Sequence, residues 1–421
     1  MRKYLSILVL LFAFSISKAQ KITGTWKGNI EINGTKLPVV FHLNYGGNGE
    51  LQGTWDSPAQ SALGLTFSSL RATNDSLFAE VESLNSNYSG KIIGEDSIAG
   101  TWTQGGMGLP LNFGRVSEKD ISKDKKVYPG EKEIKITSAG TPLFGTLSSK
   151  NNLQKLVIII AGSGPTDRDG NNPLGSNTDG LKMVARSLDS QNIASFRFDK
   201  RGVGKSILPG MKENELVFEN YIKDAENIFS YLHDTLGYRD IYFLGHSEGS
   251  LIGMIAASHT KAKGFISVAG AGRPAEVIIN EQIQKSNLSD SLKAEVRSIF
   301  DKLKNGKLQN SYSPQLEFLF RKSVQPYLIS WLQFSPEAEI KKVKCPILLL
   351  QGDCDIQVSI ADAQNLRNAN KKSQLVIIPQ MTHTLKNAGA ACKDQKQTYS
   401  DNSLPVDKKL MGEIIGFVKK N

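Results

Sequence analysis

Gly245-His246-Ser247-Glu248-Gly249 is the stretch of this sequence best suited to covalent chemistry. It places a Ser between two Gly in the pattern G-x-S-x-G. With 38 Gly in 421 residues the pentapeptide alone is a weak signal. Its surroundings give it weight. The apolar run Ile241 to Leu244 precedes it, and the small-residue, helix-like stretch Ser250 to Ala257 follows. That is the strand–turn–helix in which a Ser hydroxyl stands exposed above a sheet. So sharp a turn forces the Ser backbone into a strained conformation, which explains Gly on both sides.

A Ser hydroxyl needs a base to accept its proton. The chain holds five His. His42 belongs to an N-terminal β-rich segment, and His233 ends an amphipathic stretch. His246 is next to Ser247, where its ring cannot turn productively onto the neighbouring hydroxyl. His259 falls about three helical turns further on. His383 remains, just after the strand-like run Leu375 to Ile378. The acid that orients it should follow the preceding strand, Ile347 to Leu350, where Asp353 and Asp355 both stand. Asp355 is favoured because it sits further into the loop, while Asp353 reads as a turn former.

These residues need a scaffold, and the chain shows one. Solid apolar runs at Leu156 to Ile160, Ile193 to Phe198, Ile241 to Leu244, Phe265 to Ala269, Ile347 to Leu350 and Leu375 to Ile378 alternate with amphipathic segments. That alternation predicts an α/β domain with a mostly parallel sheet covered by helices, over residues 131–421. Between Ala269 and Cys345 the pattern is helical and too long for a simple connection, so a helical lid is expected at about 274–342. Residues 20–117 differ: short β-like runs separated by Gly/Asn turns predict a small all-β domain. Gly-Thr-Trp recurs there at Trp26, Trp55 and Trp102. Three Trp packing one core is the simpler reading, and an aromatic platform for a sugar or polymer the sharper one. Polar, charged residues 118–130 read as a linker.

The matched features resemble the α/β-hydrolase superfamily, specifically bacterial carboxylesterases with a G-H-S-E-G elbow and a helical lid. The order Ser247, Asp355, His383 is the order of that superfamily. The resemblance implies that Ser163, in Ala161-Gly162-Ser163-Gly164-Pro165, and Glu248 supply the two backbone N–H groups of an oxyanion hole. It also implies a pocket role for Thr166 to Asn171 and a structural role for the loop Asp199 to Ser206. The activity implied is a serine carboxylic-ester hydrolase acting through an acyl-enzyme on small or medium acyl esters. A serine peptidase or acyltransferase on the same fold is the alternative, and a catalytically silent protein binding through its β domain is another.

Other classes are disfavoured. Gly202-x-Gly204-Lys205-Ser206 does not complete a phosphate-binding loop, and five dispersed His give no metal-ligand spacing, so neither cofactor nor metal is expected. The formal net charge of +10 comes from scattered Lys and Arg, without a basic stripe for nucleic acid. Arg2 and Lys3, the apolar run Leu5 to Ile16 and Ser17-Lys18-Ala19 read as a signal peptide over residues 1–19. An exported protein, periplasmic or secreted, is expected, with no membrane span after cleavage. Export permits a disulfide. Cys345 and Cys354 flank one strand and lie too far apart to pair. Cys354 and Cys392 fall in the acid and histidine loops, and a bridge would pin the two together. The alternative is three free, mostly buried thiols.

Overall fold

The computed structural model describes residues 22–32, 35–46, 49–57, 62–82, 86–104, 107–116, 128–149, 154–172, 176–207 and 211–421. The expected signal peptide and most of the expected linker lie outside them. The chain divides into two compact units, Met1–Lys126 and Val127–Asn421.

The first unit is an antiparallel ten-stranded sheet. Its strands are β1 Gly24–Ile32, β2 Thr35–Tyr45, β3 Leu51–Ser57, β4 Ala62–Thr66, β5 Ser69–Ala72, β6 Ser76–Val81, β7 Ser86–Ile93, β8 Ser97–Gln104, β9 Met107–Pro110 and β10 Phe113–Arg115. They pair in the order β4-β3-β2-β1-β10-β8-β7-β6-β5, with β9 on β8. Along β7 buried and exposed residues alternate, the mark of a sheet with one face on a core. That core holds Trp26, Trp55 and Trp102, all at most 3% exposed. The Trp55 and Trp102 rings lie 5.5 Å apart. Indoles buried so fully cannot serve as a platform, so the packing reading holds for all three.

The second unit begins with a hairpin, β11 Glu131–Ser138 and β12 Thr141–Ser148. Then follow β13 Lys155–Ile160, α1 Gly180–Ser190, β14 Ala194–Phe198, α2 Phe218–Ser230, β15 Asp240–His246, α3 Glu248–His259 and β16 Gly264–Val268. Five helices come next without a strand: α4 Ala275–Gln284, α5 Asp290–Lys304, α6 Glu317–Phe320, α7 Gln325–Trp331 and α8 Pro336–Ile340. The chain closes with β17 Ile347–Gly352, α9 Ile360–Ala369, β18 Gln374–Ile378, α10 Gln395–Ser400 and α11 Lys408–Lys420. The eight strands order as β11-β12-β14-β13-β15-β16-β17-β18. The first two join antiparallel, and every pairing from β14 to β18 is parallel.

Both faces of this sheet are covered. In β13, Ile158 and Ile160 join a cluster with Ile222 and Phe229 of α2 and Ile252 and Ile255 of α3. Val157 and Ile159 point the other way, to Val184 and Leu188 of α1 and Ile414 of α11. This two-residue alternation between two apolar faces is why the strand reads as an unbroken apolar run. Helices α4–α7 have a core of their own, with Ile299, Phe300, Phe320 and Leu328 among its residues, whereas Ile340 of α8 joins the cluster of Ile158 and Ile160. Chain order reverses direction across β13: β14 lies on one side and β15 on the other. In open α/β sheets ligands bind in the crevice at such a point, beyond the strands' carboxyl ends.

Candidate active site

Two loops leave that crevice side by side. Ser247 links β15 to α3 with φ 55° and ψ −121°, an unfavourable backbone for a residue with a Cβ. Such a conformation costs on the order of 1–3 kcal/mol and persists only where its surroundings enforce it. They do so here. A Cβ on Gly245 would stand 2.1 Å from the Gly249 carbonyl oxygen, and one on Gly249 would stand 2.4 Å from that of Ile160. Only Gly permits the helix to start so close to the sheet. The Ser247 N–H donates to the Val268 carbonyl at 3.0 Å, tying the turn to β16.

His383 follows β18, and its Nδ1 lies 2.8 Å from Asp355 Oδ2 in the loop after β17. Both side chains are buried. The Val358 and Gln357 N–H groups donate to Asp355 Oδ1 at 2.9 and 2.8 Å, and Gln351 Nε2 donates to Oδ2 at 3.1 Å. Burial alone would push this carboxyl up. The charge and hydrogen bond of His383, together with those two N–H groups, outweigh it and hold Asp355 below the usual carboxylate range. Asp353 goes elsewhere: its Oδ1 accepts the Gln380 N–H at 2.6 Å, in a turn.

His246 has a part that the sequence did not reveal. Its Nε2 lies 2.8 Å from the His383 carbonyl oxygen. A carbonyl only accepts, so Nε2 carries the proton. Burial, then the neighbouring His383, push the His246 pKa down to about 3, so its ring stays neutral. His246 thus anchors the histidine loop through its backbone.

Ser247, His383, Gly162 and Ser163 line one cavity of about 300 Å³. Its remaining wall carries no Asp, Glu, Lys or Arg: the polar Thr166, Asn172, Thr178, Gln357 and Tyr399 stand beside Leu181 and Leu385. Gly162 packs so near Ser247 that a Cβ there would lie 3.1 Å from the Ser247 Cβ. Glu248 is the first residue of α3, where a backbone N–H has no acceptor one turn back within the helix. Of the loop Thr166 to Asn171, Thr166 and Gly170 reach the cavity. Arg168 and Asp169 bond instead to Asp199 and Arg197, at 2.6 and 2.7 Å. The Gly-rich turn 202–206 wraps a carboxylate: the Lys205 N–H donates to Asp199 Oδ2 at 3.0 Å.

Lys200, in that same loop, is 2% exposed. Its Nζ donates to the Gly162 carbonyl at 2.6 Å and to Glu248 Oε1 at 2.9 Å. Tyr327 of α7 donates its hydroxyl to Glu248 Oε2 at 2.7 Å. Nothing in the local sequence marks Lys200 as a site residue, since its partners lie 38 and 48 positions away.

Cys354 and Cys392 are bridged, with Cα atoms 5.6 Å apart, and Cys345 is a free thiol whose pKa burial pushes up to about 11. The bridge closes a loop with a sequence separation of 38 that contains both Asp355 and His383. A loop of that size restricts the unfolded chain by about 4 kcal/mol on chain-entropy grounds. Cys392→Ala is therefore expected to lower the unfolding free energy by about 2–4 kcal/mol. Urea titrations with and without the substitution check this, and an unchanged midpoint would count against it.

Among the described residues no group of His, Cys, Asp or Glu is placed to hold a metal ion, and no helix is long and apolar enough to cross a membrane. A family model described as serine aminopeptidase, S33, matches residues 174–317. Esterase EstD of Thermotoga maritima is 27% identical over 275 residues, a stretch that spans 64% of this chain and 64% of that protein. Among solved structures, Est1E from Butyrivibrio proteoclasticus with bound ferulic acid is 20% identical, covers 67% of this chain and 99% of its own, and has a TM-score of 0.45. The Pyrococcus furiosus esterase Pf2001 is 16% identical, covers 73% of this chain and 94% of its own, and has a TM-score of 0.47. In its sheet order, its strained Ser between β15 and α3, and the family match across 174–317, the second unit of this chain is similar to α/β-hydrolases.

Proposed function

We propose that this protein is an exported serine carboxylic-ester hydrolase. One observation carries the reading: a Ser at a strained turn opens into the same cavity as an imidazole held by a buried carboxylate. Ser247 Oγ attacks the ester carbonyl while His383 takes its proton. The N–H groups of Ser163 and Glu248 hold the oxyanion, and His383 returns the proton to the departing alcohol. Water, activated by the same imidazole, then cleaves the acyl-enzyme. Asp355 keeps Nδ1 protonated and balances the imidazolium. The cavity volume suits small or medium acyl esters, and helices α4–α8 act as the lid.

The family description favours a second reading, an aminopeptidase. Such an enzyme must bind the substrate's α-ammonium, which calls for a carboxylate at the cavity wall. Among the described residues lining the cavity there is no Asp or Glu, so the ester reading stands ahead. A fluorophosphonate probe should label Ser247 alone, and aryl esters graded by acyl length should turn over far faster than amino-acid anilides. No labelling would point to a catalytically silent protein, and faster anilide cleavage would replace the esterase by the peptidase.

A further inference from the structure

The pair Lys200–Glu248 is an expensive feature to bury. Both side chains are at most 2% exposed, and desolvating two charges commonly offsets most of their attraction. A pair of apolar residues would fill the space as well. What apolar residues could not do is bond at once to the Gly162 carbonyl and to the side chain of Glu248, the residue after Ser247.

Lys200 Nζ bonds to the Gly162 carbonyl. That oxygen belongs to the Gly162–Ser163 peptide, the same unit whose N–H is assigned to the oxyanion. No described peptide bond is cis, so the carbonyl and N–H of this unit point in opposite directions. An ammonium on the oxygen side draws electron density through the amide and leaves the N–H a stronger donor on the cavity side. The other arm of Lys200 grips the carboxylate of Glu248, whose own N–H is the second donor. One buried cation therefore spans both halves of the hole. Thr166 fixes the first half from beyond, donating its hydroxyl to the Ser163 carbonyl at 2.8 Å. Tyr327 of α7 fixes the second through Glu248.

We propose that Lys200 is a positioning residue of the oxyanion hole: it holds the Ser163 and Glu248 peptides in register and polarises the first. The inference rests on the ester-hydrolase reading above. Lys200→Met alone leaves the Glu248 carboxylate buried without its partner and endangers folding. The informative variant is Lys200→Met with Glu248→Gln, which removes both charges together. Rates are taken per active site titrated with fluorophosphonate, so a partly folded preparation still reports on the hole. The second readout is the infrared carbonyl band of the acyl-enzyme formed from p-nitrophenyl cinnamate.

The double variant should melt close to the parent temperature. Its kcat should fall about 10- to 100-fold with KM changed by less than about threefold, a smaller loss than the 10²–10³ for deleting a donor outright. The acyl carbonyl band should move to higher wavenumber, as it does when hydrogen bonds to the oxygen weaken. Parental kcat with an unmoved band would overturn the proposal and leave the pair a packing feature. Absence of an acyl carbonyl band in the parent enzyme would instead overturn the hydrolase reading, before any variant is made.

Discussion

Ser247→Ala and His383→Ala are each expected to reduce ester turnover by about 10⁴- to 10⁶-fold, and the two together by little more. In the proposed mechanism the nucleophile and its base act as one unit, so either loss leaves only the binding and electrostatic parts of the site. Neither change should unfold the protein. Ala at position 247 keeps the backbone that Gly245 and Gly249 make possible and removes a single oxygen. At position 383 the carbonyl held by His246 belongs to the backbone and survives substitution. Asp355 loses one partner but keeps Gln351, Gln357 and Val358. Steady-state rates on an aryl ester, beside thermal melts, check the pair. A residual rate within a hundredfold of the parent in folded His383→Ala would mean that another group serves as base.

The parallel sheet was legible because its strands are buried on both faces, so β13, β15 and β17 appear as solid apolar runs. The β11–β12 hairpin gave no such signal. In β11 the sequence Glu131-Lys132-Glu133-Ile134-Lys135 keeps its charges exposed or half-buried at the sheet's edge. Two of them bind other elements, Glu131 to Arg197 and Glu133 to Lys205. Edge strands carry charge as protection against unwanted pairing, and that charge hides them from a search for apolar runs. The Trp residues illustrate the reverse difficulty. Gly-Thr-Trp drew attention as a recurring motif, yet its three Trp, on β1, β3 and β8 of one sheet, all face one core.

At the site, local spacing revealed the turn around Ser247, because strain and close approach demand Gly at fixed offsets. It could not reveal destinations. His246 was set aside as the base for Ser247; its Nε2 binds the histidine loop, a partner 137 positions away. Lys200 sits in a loop that resembles a structural connection, and only the folded chain brings its ammonium to Gly162 and Glu248. Long, flexible cationic side chains are the least predictable from neighbours in sequence, since a few ångströms of reach separate solvent from a buried partner.

Asp355→Asn and Asp353→Asn should separate sharply, although the two residues stand one apart. An Asn at 355 still fits: two backbone N–H donors, Val358 and Gln357, hold its carbonyl at the Oδ1 place against the single Gln351 donor, and its NH2 group takes the Oδ2 place facing His383 Nδ1. A donor there forces Nδ1 to be the unprotonated nitrogen and puts the proton on Nε2, the wrong tautomer for a base that must accept from Ser247. In serine hydrolases with this arrangement the same change costs about 10⁴ in kcat while the geometry survives. The loss should fall on kcat, with KM little altered. Asn at 353 retains an oxygen that can accept the Gln380 N–H, so its turnover should stay within about threefold of the parent, a small local change away from the reacting atoms. Both variants should melt as folded proteins, which makes the comparison one of chemistry. A larger kcat loss in Asp353→Asn than in Asp355→Asn would show that the carboxylate seen against the imidazole is not the one that tunes it.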